Sequence, residues 1–312
     1  MQIAIIIPAY NEELTISKTI EDFFKQLPEA AFYVINNNST DRTKEIAQKT
    51  FNSLKCKTYV ILDEPQKGKS FAIKKAFAEI EADVYVMVDA DQTYPAADIN
   101  LLLEPVLSQQ ADMTVGDRLS QQKYQKQNKR AFHVFGNTLV KKIINTLFFA
   151  QLNDIMSGYR VFSRKFVKNF PILTKGFELE TEMTLHALDK NFKIAEIPIN
   201  YQDRPQGSVS KLNTFTDGFK VLSIIVQIFK DYHPLLFFGW LAGLAALAGL
   251  VTGAPVIVEY LQTGLVPRFP TAILATGIMI LSILFLAIGL ILDTVVHNHR
   301  YDYEWKLLNY HR

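Results

Sequence analysis

The chain has 312 residues, enough for one large domain or two small ones, and its 49% hydrophobic content is spread unevenly. A net charge of only +2 gives no case for a nucleic-acid partner. The single cysteine, Cys56, excludes an intrachain disulfide and suits a reducing compartment.

The chain opens MQIAIIIPAYNEE, without a basic leader, and its apolar run stops at Pro8. It is expected to form a buried parallel strand rather than a cleavable signal peptide. Strand-like runs at residues 3–7, 32–35, 57–62 and 84–88 alternate with helical stretches at 14–26, 43–50 and 69–80. That rhythm predicts an α/β domain, a mostly parallel, Rossmann-like sheet with helices on both faces. Ligands of such sheets bind beyond the carboxyl ends of strands. Polar segments fall at those ends: residues 8–12 after the first strand, 36–41 after the second and 89–91 after the fourth.

Asp89 and Asp91 follow a buried strand at positions i and i+2, which aims both carboxylates to one side of extended chain. Two carboxylates at a strand end suit Mg²⁺ or Mn²⁺, since such an ion takes one or two of them and completes its shell with substrate phosphates. Aspartates are also ordinary turn residues, and the triplet alone leaves both readings open.

Further along, Arg118 follows a Gly-Asp turn and Arg130 a basic, polar stretch. A guanidinium suits phosphate because its planar fork binds bidentately, although either arginine also fits a solvated surface. Residues 204–211, with Arg204, Ser210 and Lys211, read as a flexible basic loop suited to a diphosphate leaving group, or as a plain connector. Glu178, Glu180 and Glu182 form an acidic cluster that a helix N-terminus would equally favour.

In residues 214–232, Phe215, Phe219, Leu222, Ile225, Val226 and Phe229 recur at helical spacing. An amphipathic helix is expected, lying in a membrane interface or packed on the domain. Residues 234–258 and 269–296 are each apolar and long enough to cross a hydrocarbon core, the alternative being a buried hairpin. Lys211, Lys220 and Lys230 precede the first stretch, and Arg300, Lys306 and Arg312 follow the second. The loop between holds one basic residue. The positive-inside rule then puts both ends in the cytosol. The tail, with Tyr301, Tyr303, Trp305 and Tyr310, suits a headgroup layer, and His297 and His299 fit that setting better than a metal pair.

The segments IIPAYNEE, NNNSTDRT, KGKSFAIKKAF, VDADQTYP, the GDR at 116–118, DIMSGYRVFSR, GFELETEM and IPINYQDRPQGSVSKL keep a specific order and spacing. Together they resemble the family 2 glycosyltransferases of GT-A fold over residues 3–212. Within that family the similarity is to polyprenyl-phosphate glycosyltransferases of the dolichyl-phosphate mannose synthase and bacterial undecaprenyl-phosphate types, some of which also carry two C-terminal spans. The resemblance implies that Pro8, Tyr10 and Glu12 cradle the base and ribose. Asn36 would reach the base edge, where relatives often carry Asp, and Lys69 would lie near the nucleotide. Asp89, with Ala90 beside it, would face the nucleotide-sugar, and Asp91 would ligate the metal. A glutamine ligand found in some members is replaced by Thr93, with Gln92 next to it. Asp154 occupies the position often assigned as catalytic base. A phosphate acceptor is already largely ionised at neutral pH, so there Asp154 would rather position groups.

The expected organisation is a catalytic domain at 1–212, an interfacial helix at 213–232, and a two-span hairpin with a cytosolic tail at 233–312. The expected activity is inverting, metal-dependent transfer of a sugar from a UDP- or GDP-sugar to polyprenyl phosphate. It would occur at the cytosolic leaflet of a bacterial plasma membrane, in contact with membrane lipid, for cell-envelope or protein glycosylation. The alternatives are glycosylation of another lipid or glycan hydroxyl, and a catalytically silent nucleotide-sugar-binding partner. The oligomeric state stays open.

Overall fold

The computed structural model describes residues 1–120, 131–173, 179–202, 204–205 and 226–310, except for the side chains of 131–137 and 309–310. By internal contacts the chain divides into two units, Met1–Phe215 and Thr216–Arg312.

The first unit is built on a seven-stranded sheet. In chain order its elements are β1 (Ile3–Ala9), α1 (Ile16–Gln26), β2 (Ala31–Asn36), α2 (Thr43–Leu54), β3 (Tyr59–Asp63), α3 (Lys69–Glu79) and β4 (Val84–Met87). A short 3₁₀ turn then leads to α4 (Ile99–Leu107), β5 (Met113–Asp117), α5 (Ala131–Leu147), β6 (Arg160–Ser163), α6 (Arg164–Asn169), α7 (Leu179–Asp189) and β7 (Ile194–Pro198). The strand order is β3-β2-β1-β4-β6-β5-β7. All neighbours run parallel except β6, which is antiparallel to both β4 and β5.

The apolar runs have a packing reason. Ala4, Ile5, Ile6 and Ile7 of β1 and Tyr85, Val86 and Met87 of β4 are all fully buried, as strands covered on both faces must be. Edge strand β3 is only half covered, with Val60 at 40% exposure. α1 buries Ile16, Thr19, Ile20 and Phe23, the i, i+3, i+4, i+7 stripe of a helix with one core face.

The reversed strand β6 positions the site. Because β6 is antiparallel to β4, with Met87 opposite Arg160, it begins at the end where β4 stops. The loop entering β6, residues 150–159, therefore meets the segment leaving β4.

In the second unit, residues 226–232 are helical; the rest of the expected amphipathic helix lies outside the described residues. α8 (Pro234–Thr263) and α9 (Phe269–Tyr310) form an apolar hairpin. Their seam uses small residues. A Cβ on Gly249 would lie 2.7 Å from Met279 Sδ, one on Gly289 3.0 Å from Phe238 Cβ, and Ser282 Oγ donates to the Ala242 carbonyl at 2.8 Å. Only 17% of each apolar window is buried, the opposite of a soluble core hairpin, and both helices are long and apolar enough to cross a membrane. α9 differs from expectation in length. Its 42 residues continue through the aromatic tail, giving roughly 63 Å of helix, about twice a hydrocarbon core. No Pro or Gly between Leu290 and Tyr310 stops it.

Candidate active site

The carboxyl ends of β1, β2 and β3 form one wall. Pro8, half-buried, is the next-to-last residue of β1 and pairs with Ile35 of β2. Lys67 Nζ donates to Tyr10 Oη at 3.2 Å and lies 5.2 Å from the ring centre. Glu12 organises the start of α1. Its carbonyl accepts from the backbone N–H groups of Thr15 and Ile16, its own N–H donates to Thr43 Oγ1 at 2.8 Å, and its carboxylate accepts from Thr15 Oγ1 at 3.1 Å. Asn36 is buried and donates through Nδ2 to Asp63 Oδ1 at 2.8 Å. Lys44 also pairs with Asp63, and these two contacts hold the Asp63 carboxyl below its usual range. A negative charge therefore does stand next to Asn36, supplied by β3.

Asn37, which the sequence did not single out, clasps the following loop. Its amide donates to the Gln66 carbonyl at 2.6 Å and accepts from Gly68 N–H at 2.7 Å. Gly68 adopts φ 136°, a conformation glycine alone takes without strain. The clasp sets the start of α3 and with it Lys69.

Lys69 Nζ lies 2.5 Å from Asp89 Oδ1 and 2.6 Å from Glu180 Oε1, with all three side chains largely shielded. Burial opposes the ammonium charge, but the two carboxylates override it and raise the Lys69 pKa well above its ordinary value. Glu180 thus joins the site from the first turn of α7. Glu182 instead accepts from the Leu173 N–H at 3.0 Å, and Glu178 lies outside the described residues. Gly158 covers the pair closely. A Cβ there would lie 2.8 Å from both Asp89 Oδ2 and Lys69 Nζ, so only glycine fits without displacement. Its N–H donates to Tyr94 Oη at 2.8 Å.

Ala90 is buried, and its carbonyl accepts from Thr19 Oγ1 at 3.1 Å. Asp91, 5% exposed, accepts at Oδ1 from Thr93 Oγ1 at 2.6 Å and Thr93 N–H at 3.1 Å. At Oδ2 it meets Arg204 Nη2 at 2.6 Å. The chain returns to this point because Gln202 N–H donates to the Thr93 carbonyl at 3.0 Å. Gln92 turns away and donates to the Thr15 carbonyl at 3.1 Å.

Among the described residues no group of three or more His, Cys, Asp or Glu side chains is placed to hold an ion. A single carboxylate with a cation already at one oxygen nonetheless fits an ion that takes one or two protein carboxylates and fills its shell with substrate phosphates.

The third cluster sits where β5 and β7 end and β6 begins. Asp117 accepts from Leu119 N–H at 2.7 Å and Ser120 N–H at 3.1 Å, forming the turn that presents Arg118. Arg118 grips Asp154 bidentately, Nε to Oδ2 at 2.7 Å and Nη2 to Oδ1 at 2.9 Å, and adds its backbone N–H at 3.1 Å. Burial alone would raise the Asp154 carboxyl; the Arg118 charge and these hydrogen bonds outweigh it and hold the group below its ordinary range. The Arg118 guanidinium also lies 5.6 Å from the Tyr201 ring centre.

Two residues missed from sequence support this pair. Glu196 of β7 accepts from Asn153 N–H at 2.7 Å and Asp154 N–H at 2.8 Å, fixing the loop backbone. Burial pushes its carboxyl pKa up. Arg160 is wholly buried and donates to the carbonyls of Ser157 at 2.8 Å and Ile155 at 2.7 Å and to Thr184 Oγ1 at 3.0 Å. Burial lowers its pKa to about 10, which still leaves it charged at neutral pH. Arg130, Ser210 and Lys211 lie outside the described residues.

These carboxylate and cation pairs line the carboxyl edge of the sheet, where this architecture binds nucleotides. The family model for glycosyl transferase family 2 matches residues 4–170. The chain belongs to this family. It is a glycosyltransferase, similar to glycosyltransferase AglJ of Haloferax volcanii, which is 27% identical over 299 residues covering 96% of this chain and 95% of AglJ. The dolichyl-phosphate hexose transferase of the same organism is 28% identical over 226 residues, 72% of this chain and 93% of that one. Glucosyl-3-phosphoglycerate synthase from Mycobacterium tuberculosis, solved with Mn²⁺, uridine diphosphate and phosphoglyceric acid, shares the fold. Its TM-score is 0.55 at 18% identity, over 73% of this chain and 78% of that one.

Proposed function

We propose that this glycosyltransferase moves a sugar from a UDP- or GDP-sugar onto a polyprenyl phosphate at the cytosolic face of a bacterial plasma membrane. The observation that carries the acceptor class is the state of Asp154. Both of its oxygens are engaged by Arg118 and its carboxyl is held acidic, which makes it a poor proton acceptor. A hydroxyl acceptor needs a base near its proton. A phosphate monoester, with a second pKa of about 6, carries an ionised oxygen already. The names of the relatives and the two apolar helices point the same way.

In this mechanism Pro8, Tyr10, Glu12 and Asn36 hold the nucleoside, and Asp89 orients the sugar while Lys69 fixes its rotamer. Arg118, with Arg130, binds the acceptor phosphate and keeps it in line with the anomeric carbon. A lipid phosphate oxygen forms the new bond to that carbon as the bond to the donor diphosphate breaks, which inverts the anomeric centre. Arg204, Ser210 and Lys211 receive the departing diphosphate. Asp91 is the residue that would hold Mg²⁺ or Mn²⁺, which when bound neutralises diphosphate charge. The organisation proposed with it is a catalytic domain at 1–212, an interfacial helix at 213–232 and a two-span hairpin at 233–312, with both termini cytosolic.

The test incubates the purified full chain with a panel of nucleotide-sugars and, in parallel, polyprenyl phosphate, the matching polyprenol and diacylglycerol, and weighs the lipid products. A product from polyprenyl phosphate alone is expected. A product from a hydroxyl lipid, with none from the phosphate, overturns the acceptor assignment.

A further inference from the structure

A feature remote from the donor contacts stands out at the turn between α5 and β6. Phe149 is 95% exposed and adopts φ 51°. A bulky residue in the left-handed region is unfavourable, and an aromatic ring held in water adds the cost of exposed apolar surface. The turn is nevertheless built to hold it there. Ala150 N–H donates to the Asn145 carbonyl at 3.0 Å, and the Asn145 side chain closes the loop. Its Nδ2 donates to the Leu152 carbonyl at 2.8 Å, and its Oδ1 accepts from Leu152 N–H at 3.0 Å. One residue beyond the clasp, Asn153 and Asp154 are pinned to Glu196. The displayed ring is thus joined by a short, braced segment to the carboxylate that holds Arg118.

We propose that the Phe149 turn is a lipid-contact finger that seats the catalytic unit on the bilayer surface. The occupant is a membrane interface for three reasons. Aromatic rings partition to the headgroup layer. α5 brings Lys141 and exposed Lys142 within two helical turns of the tip, and lysines attract anionic headgroups. The same chain carries two largely unburied apolar helices, each long and apolar enough to cross a membrane. The proposal rests on the membrane part of the function above and is independent of the donor and acceptor chemistry.

The test uses the full chain in vesicles of phosphatidylcholine and phosphatidylglycerol. The two native tryptophans are removed by Trp240→Phe and Trp305→Phe, and Phe149→Trp supplies the reporter. Its emission is expected to be quenched by lipid brominated on the acyl chains and shielded from aqueous iodide. Quenching by iodide and not by brominated lipid overturns the proposal. Shielding from both also overturns it, since the ring then packs against protein. This readout needs no substrate, so it stands even if no panel donor turns over. In the native background, Phe149→Asp should raise KM for vesicle-embedded acceptor roughly tenfold, the loss of about one buried aromatic side chain. Nucleotide-sugar affinity and kcat should be unchanged. An unaltered KM with measurable turnover would remove the finger from acceptor capture.

Discussion

Removing either partner of the Arg118–Asp154 pair should cost far more than removing a surface ion pair, and removing both should cost less than the two losses added. The side chains are 12% and 3% exposed and share two hydrogen bonds, at 2.7 and 2.9 Å, while the Arg118 backbone N–H donates a third to Asp154 at 3.1 Å. With so little solvent to screen it, a guanidinium or carboxylate left alone there is an uncompensated buried charge, worth about 3–5 kcal/mol of destabilisation. Arg118→Ala and Asp154→Ala should each fall in that range, and the double variant should recover about 2–3 kcal/mol relative to their sum. The assay is the denaturant midpoint of the detergent-solubilised full chain, with hydrogen exchange followed over residues 113–120 and 153–160. Additivity within about 0.5 kcal/mol would refute the reasoning. The pH dependence gives a second arm. Asp154 has its folded pKa depressed, so its contribution is complete above the unfolded value of about 3.9 and disappears only as pH falls through the folded pKa below it. It should impose no pH dependence near neutrality. Any rate profile with a midpoint near 6 should belong to the acceptor phosphate and persist in Asp154→Asn. A profile abolished by that substitution would make Asp154 the base.

Gly158→Ala should destabilise the catalytic unit by about 1–3 kcal/mol and weaken nucleotide-sugar binding, because its Cβ would meet Asp89 and Lys69 at 2.8 Å. A thermal shift and donor binding both equal to wild type would mean the Lys69 side chain yields freely. Arg204→Gln should tighten Mn²⁺ binding to the nucleotide-free protein roughly tenfold, since guanidinium and ion compete for Asp91 Oδ2. Calorimetry reads this directly, and unchanged or weaker affinity would place the ion elsewhere.

β1, β2 and β4 were legible because buried parallel strands are written as short apolar runs, each followed by a polar turn; β3, half covered, still carries an apolar run. The second half of the sheet was not. Arg160 breaks the apolar run of β6, and nothing local announces that Ser157, Ile155 and Thr184 will satisfy it. Glu196 reads as an ordinary outward strand residue, yet its carboxylate anchors a loop 42 residues away. The sequence led us to expect Arg118 and Asp154 at the site with separate tasks. Their pairing across 36 positions is a product of the β6 reversal, which no spacing encodes. The apolar hairpin was visible in its apolar stretches, but hydropathy marks where a helix stops being apolar, and α9 continues to Tyr310.

The charges at the sheet edge bear on the metal proposed for Asp91. Asp89, Asp91, Asp154 and Glu180 face Lys69, Arg118, Arg160 and Arg204. These four carboxylates against four cations, with Asp117 and Glu196 of the third cluster besides, leave the described part of the site with no surplus positive charge. Asp89, Asp91, Asp154 and Glu180 each have a cation within reach, Lys69 serving both Asp89 and Glu180. A nucleoside diphosphate entering it adds at least two negative charges, which these pairs do not offset unless a carboxylate gives up its cation. Arg204 is the cation most open to such an exchange, being 32% exposed where Lys69 and Arg118 are at 14% and 12%. If Arg204 turns to the diphosphate, Asp91 is left as a buried carboxylate without a counter-charge. Asp91 would then be the residue to hold a divalent ion, whose charge would restore that balance. For an ion held by Asp91, this charge balance would favour donor and ion binding together over the ion binding first.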